Sequence, residues 1–113
     1  MSKIQDIGTR DEFEKALRAA PGQVLVEFVQ DDCSYCDDER PKVERLAARC
    51  EQLTVLRINA DASEELDQLA KEFHLEAAPT LFYAESGHEM RPEKAVELED
   101  VRAVSKLLKG AKK

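Results

Sequence analysis

The run Val24-Leu25-Val26-Glu27-Phe28-Val29 constrains this chain more than any other segment. It is apolar at consecutive positions rather than alternate ones, which is the pattern of a strand covered on both faces. Pro21-Gly22 marks its start, and Cys33-Ser34-Tyr35-Cys36 follows close behind its end. From residue 37 to 50 the period changes to that of a helix, with Val43, Leu46, Ala47 and Cys50 at i, i+3, i+4 and i+7. A buried strand feeding an amphipathic helix requires layers on both sides of a sheet, so the chain reads as an α/β protein.

The rest of the sequence agrees. Residues 3–7 form a short candidate edge strand. Thr9 and Glu12 make a capping-box pattern for a helix through Ala20. A strand is expected over 53–59, then a helix opened by Ser63, Glu64 and Glu65 with Leu66, Leu69, Ala70 and Phe73 inward. Thr80-Leu81-Phe82-Tyr83-Ala84 reads as a strand, Ser86-Gly87 as a turn, and 88–91 as its hairpin partner. A last helix is expected over 99–109, with Val101, Val104, Leu107 and Leu108 inward and Gly110 as its stop. Pro41 falls inside the helix after the cysteines and should kink it. The order predicts an α/β sandwich around a mixed central sheet.

At 113 residues the expectation is one domain, 1–113, large enough for a hydrophobic core without a structural disulfide. A formal charge of −7 argues against a nucleic-acid or anionic-membrane partner. No apolar run reaches the ~20 residues of a membrane span. Met1-Ser2-Lys3-Ile4-Gln5-Asp6 has no apolar leader core. Three cysteines fit a reducing compartment better than a secreted disulfide scaffold. The expectation is a cytoplasmic monomer.

Cys33 and Cys36 carry the chemistry. A Cys-x-x-Cys at a strand-to-helix junction places the first sulfur at a helix N-terminus, where free N–H groups and the helix dipole favour a thiolate. The thiolate is the species that attacks disulfides. A zinc half-site is the other reading, but four ligands are needed, and Cys50, His74 and His88 are not paired at suitable spacing. Cys50, on the apolar helix face, reads as a buried structural thiol. His74, between Phe73 and Leu75, reads as a satisfied or exposed side chain rather than a ligand.

Taken together, Cys33-Ser34-Tyr35-Cys36, Pro41 eight residues after Cys33, Ala78-Pro79-Thr80 entering a strand, Glu27 six residues before Cys33, and Gly87 at the hairpin turn resemble the thioredoxin family across nearly the whole chain. The resemblance implies a thioredoxin-like three-layer sandwich, with a mixed central sheet of four to five strands flanked by helices. It implies that Cys33 is the exposed attacking sulfur and Cys36 the buried resolving one. Glu27 stands where the family usually has a buried aspartate, and by alternation it too is buried. There it would take the proton of Cys36. Pro79 is expected to be cis, with the backbone at Ala78 able to pair with an extended client.

Departures from the family are equally specific. Asp32 replaces the usual Trp before the first cysteine, and Ser34-Tyr35 replaces Gly-Pro. Tyr35 is closer to glutaredoxins, some of which hold an iron–sulfur cluster, but no Gly-Gly pair follows the proline strand. Ala95 stands near a customary glycine. Tyr35, Ala78, Pro79 and Asp32 are taken as the client-binding set, with Tyr35 either stacking on the client or covering the disulfide.

An acidic collar, Asp31, Asp32, Asp37, Asp38 and Glu39, surrounds the motif, partly offset by Arg40 and Lys42. Carboxylates suit the first turn of a helix. Each also opposes a nearby thiolate, by roughly 1 kcal/mol at ~4 Å in water. The collar thus favours a reductant and basic clients.

The expected activity is reduction of protein disulfides through the Cys33–Cys36 dithiol. No cofactor is needed beyond that redox-active disulfide. The partners are a disulfide-containing client and a separate thiol or flavoprotein reductase. Two alternatives stay open: a redox-idle binding module or chaperone on the same fold, and an iron–sulfur or metal carrier using Cys33.

Overall fold

The computed structural model describes residues 4–111. Five strands form one mixed sheet in the order β1-β3-β2-β4-β5. They are β1 (Ile4–Ile7), β2 (Val24–Val29), β3 (Thr54–Asn59), β4 (Thr80–Ala84) and β5 (Val96–Leu98). β1 and β2 both run parallel to the intervening β3, while β4 is antiparallel to β2 and β5 to β4. Four helices cover the sheet: α1 (Arg10–Ala19), α2 (Ser34–Arg49), α3 (Glu64–Glu72) and α4 (Val101–Ala111).

Strand alternation divides the core into two layers. Val24, Val26 and Phe28 of β2 face α1 and α3, where Phe13, Leu17, Leu66, Leu69 and Phe73 meet them. Phe28, Phe73 and Phe82 pack ring against ring, with centroids 5.1–5.7 Å apart. Leu25 faces the opposite side, where Val43, Leu46 and Ala47 of α2 and Val104 and Leu108 of α4 close the layer. All six residues of β2 are buried, as its composition demands. This central strand carries Glu27 into the α2/α4 layer.

The helix ends follow local chemistry. Thr9 accepts the Glu12 N–H and Ser63 accepts the Leu66 N–H, as capping requires. α3 ends in a Schellman turn: the His74 N–H donates to the Lys71 carbonyl and the Leu75 N–H to the Ala70 carbonyl. His74 occupies the left-handed position, at φ 58°, and its side chain is exposed. Its place is explained by helix termination.

Several boundaries differ from expectation. Residues 88–91 are not the hairpin partner of β4. Gly87–Glu89 forms a 3₁₀ turn, and β5 lies further on. The Glu89 and Met90 N–H groups are used locally, on the Ser86 and Gly87 carbonyls, so neither is free for a ladder. Gly87 is buried against α1, where a Cβ would collide with the Leu17 carbonyl. That close approach, rather than a hairpin turn, requires glycine here. α4 begins at Val101 because Asp100 accepts the Ala103 N–H, and it continues through Gly110. Leu107 is exposed rather than inward, since the apolar face is filled by Val104 and Leu108. Lys3, at the start of the expected edge strand, lies outside the described residues.

Candidate active site

α2 starts three residues earlier than its apolar period shows. Cys33 is its N-cap, with its Sγ accepting the Cys36 N–H at 3.1 Å. Cys33 and Cys36 are joined as a disulfide, their Cα atoms 5.2 Å apart. The two sulfurs are not equivalent. Cys33 is half-buried, whereas Cys36, one turn into the helix, is 2% exposed. The asymmetry is that of an accessible and a sheltered sulfur.

The peptide bond between Ala78 and Pro79 is cis, and the Ala78 carbonyl oxygen lies 3.8 Å from Cys33 Sγ. Both residues are half-buried. An open groove beside Pro79 carries three carboxylates, Glu76, Glu97 and Glu99. Tyr35 is 75% exposed, so it does not cover the disulfide. Asp32 has φ 51°, a left-handed conformation that aspartate tolerates better than most residues and that an aromatic side chain disfavours.

Asp31, Asn59 and Asp61 tie the loop before Cys33 to the end of β3. The Asp31 N–H donates to Asp61 Oδ2 at 2.9 Å and the Asn59 amide to Asp31 Oδ1 at 3.0 Å. Pro41 lies in the interior of α2, where its missing N–H leaves the Asp37 carbonyl without its usual helical partner.

Glu27, in the middle of β2, is fully buried. Its Oε1 accepts the Arg57 Nε–H at 2.7 Å from the adjacent strand, where Glu27 and Arg57 are register partners. Glu27 Oε2 and one terminal nitrogen of Arg57 are shut off from water without a hydrogen-bond partner. Burial pushes the Glu27 carboxyl above its ordinary value, although the Arg57 hydrogen bond and charge act the other way. Arg57 was not singled out in the sequence. A charge in the middle of each of two paired buried strands was the available signal.

The acidic collar is smaller than the sequence implied. Asp31, Asp32, Asp37 and Asp38 are exposed, but Glu39 is buried at 8% exposure, with its Oε2 unpartnered. Because α2 begins at Ser34, only Asp37 of the five lies in its first turn. Cys50 is not a helix-face thiol in the deep core. It caps the C-terminus of α2 and is half-buried. His88 is exposed in the 3₁₀ turn, and Ala95 packs against the core beside α1 and α3. Among the described residues, no three His, Cys, Asp or Glu side chains are grouped as metal ligands, and no helix is long and apolar enough to cross a membrane.

A family model described as thioredoxin matches residues 5–112. The thioredoxin of Chlamydia muridarum is 33% identical over 102 residues, covering 90% of this chain and 93% of the relative. Among solved structures, thioredoxin O2 from Arabidopsis thaliana in its oxidized state has a TM-score of 0.76 at 20% identity, over 96% of this chain and 94% of that one. A chain from the complex of ferredoxin:thioredoxin reductase with thioredoxin f2 has a TM-score of 0.77 at 17% identity, over 99% and 98% of the two chains. The solved structures share the fold.

Proposed function

The chain belongs to the thioredoxin family and is a thiol–disulfide oxidoreductase; from that premise we propose the course of its reaction and the task of each site residue. The observation that carries the reading is the asymmetry of the Cys33–Cys36 pair, an accessible sulfur capping α2 and a buried one a turn behind it. The Cys33 thiolate attacks a client disulfide, forming a mixed disulfide and releasing one client thiolate. Cys36 then loses its proton and attacks Cys33 Sγ. The Cys33–client bond breaks, its electron pair leaves with the second client sulfur, and Cys33–Cys36 is left oxidised. Client sulfurs gain two electrons and the protein's sulfurs lose two.

In this scheme Glu27 takes up the proton of Cys36, its carboxyl raised by burial and held by Arg57. An extended client segment lies along the backbone at Ala78 and Pro79, with Tyr35 and Asp32 as exposed contacts on the other side of Cys33. Asp31, Asp32, Asp37 and Asp38, together with Glu76, Glu97 and Glu99 in the groove, favour clients with basic flanks. The same charges make this a reductant, because they oppose the thiolate and so favour the disulfide form. The redox-active disulfide is the only electron carrier required on the chain. Electrons come from a separate thiol or flavoprotein reductase; one structural neighbour was solved in complex with a ferredoxin:thioredoxin reductase.

The test is reduction of a generic disulfide-bonded protein, coupled first to a thioredoxin reductase and then to glutathione. Wild type should turn over with one of these donors. Cys33→Ser should abolish turnover, and Cys36→Ser should accumulate a covalent client complex that reductant releases. Full activity in Cys33→Ser refutes the reading.

A further inference from the structure

The reaction above leaves the buried carboxyl of Glu39 without a task. Glu39 belongs in sequence to the acidic run after the cysteines, yet Asp37 and Asp38 are exposed and Glu39 is not. It lies on the sheet-facing stripe of α2, between Cys36 one turn before and Val43 one turn after, both buried. Residues at i and i+3 of a helix have Cβ atoms about 5–6 Å apart. Helical side chains also lean toward the N-terminus, so the Glu39 carboxyl leans over the turn that carries Cys36. Its Oε2 is closed to water and has no hydrogen-bond partner.

Each carboxyl has a buried oxygen without a partner, but Glu27 also holds Arg57 on its Oε1 in an ion pair. None of the ion pairs among the described residues involves Glu39. Glu27 and Arg57 are paired with each other, so Glu39 is a second buried carboxyl on this side of the sheet and has no ion-pair partner among the described residues. We propose that Glu39 is a second proton-holding carboxyl of the redox centre, sharing with Glu27 the task of receiving the proton that Cys36 gives up as it resolves the mixed disulfide. This rests on the dithiol reaction described above. The Cys36 thiol and the Glu39 carboxylate become a thiolate and a carboxylic acid. The thiolate forms the Cys33–Cys36 bond, the client sulfur leaves with its electron pair, and Glu39 then releases its proton to solvent.

The surroundings set when Glu39 can act. Burial raises its proton affinity first, Lys42 on its own helix lowers it, and Glu27 from β2 and Asp100 at the start of α4 raise it. Arg57 from β3 acts through Glu27. From β4 the layer receives Leu81 and Tyr83, the phenol of the latter pushed up to about 12 by burial and Glu85. A carboxyl with raised proton affinity is closer to a thiol, which makes the transfer less uphill.

The experiment follows the reaction of the reduced full chain with 5,5′-dithiobis(2-nitrobenzoate) by stopped flow. The first thionitrobenzoate leaves when Cys33 attacks, and the second when Cys36 resolves the adduct. In Glu39→Gln the first release should stay within ~2-fold of wild type. The second should slow by at least ~10-fold near pH ~6, less than the ~100-fold or more expected for loss of a sole general base because Glu27 remains. The two proteins should converge as the pH rises, where the thiol ionises with less help. Glu39→Asp keeps the carboxylate on a shorter arm and should be intermediate near pH ~6. A second release in Glu39→Gln that matches wild type near pH ~6, or that is slowed equally at every pH, overturns the proposal. A wild-type protein that never releases the second equivalent overturns the dithiol reaction itself, and the role of Glu39 with it.

Discussion

Replacing Glu39 by leucine should stabilise the protein, and by more as the pH rises. Glu39 is 8% exposed with an orphan oxygen, one turn before the buried Val43 in α2. A buried polar group without a partner costs about 1–3 kcal/mol, and leucine in a site of similar volume removes that penalty while keeping the apolar contacts. For a chain of this length ~1 kcal/mol corresponds to roughly 4 °C in Tm, so Glu39→Leu should melt ~4–12 °C higher near neutral pH.

The sign of the pH dependence follows from the direction of the shift. The Glu39 carboxyl is raised in the folded state, chiefly by burial, so the folded chain binds its proton more tightly than the unfolded chain does. The stability contributed by that proton is complete below the ordinary carboxylate value and is lost as pH rises through the folded one. Each unit of difference is worth about 1.4 kcal/mol. Glu27 is raised too and acts in the same direction; it is present in both proteins, and its repulsion of Glu39 is part of the pH dependence that Glu39→Leu removes. Urea unfolding of wild type, Glu39→Leu and Glu39→Gln at a series of pH values isolates the effect. The gap between Glu39→Leu and wild type should be smallest at the acidic end and widen toward neutrality. Glu39→Gln, neutral but still polar, should fall between them at neutral pH. A Glu39→Leu protein less stable than wild type at neutral pH, or a gap independent of pH, would refute the reasoning.

Two other substitutions probe neighbouring features. Arg57→Leu leaves Glu27 buried without its cation, which should cost about 3–5 kcal/mol at neutral pH; urea midpoints should show the loss shrinking as the pH falls and Glu27 takes up a proton. Asp32→Asn combined with Asp38→Asn removes two of the four exposed collar charges. It should speed attack on the dianionic reagent 5,5′-dithiobis(2-nitrobenzoate) by ~3–10-fold at low ionic strength, a gain that vanishes near ~1 M salt, where the Debye length is ~3 Å. Equal rates at low salt would show that the collar does not steer.

Much of the architecture was legible because periodicity and burial agreed. The continuous run of β2 required cover on both faces and has it, and the caps at Thr9 and Ser63 lie where the side-chain oxygens placed them. The failures share a cause: they concern backbone groups satisfied locally or contacts distant in sequence. No pattern in 88–91 announces that the preceding glycine must let α1 approach to backbone contact. The Glu27–Arg57 pair spans two strands 30 residues apart. It becomes visible only once β2 and β3 are set in register.

Glu39 is a different failure, because its signal was present. The stripe Val43, Leu46, Ala47 continued backward by four and seven residues falls on Glu39 and Cys36, and both are buried. By composition the run Asp-Asp-Glu-Arg reads as part of the acidic collar, whereas the helical period sets Glu39 apart from Asp37 and Asp38. The consequence reaches beyond secondary structure. A sequence that specifies its fold places apolar residues on such a stripe, and departures from local consistency concentrate where function is built. Here two carboxyls and one guanidinium enter an otherwise apolar layer on three separate elements, all on the side of the sheet that carries Cys36. In the proposed reaction Cys36, 2% exposed, is the sulfur that loses a proton. The stability forgone at Glu39 is therefore located at that step of the reaction.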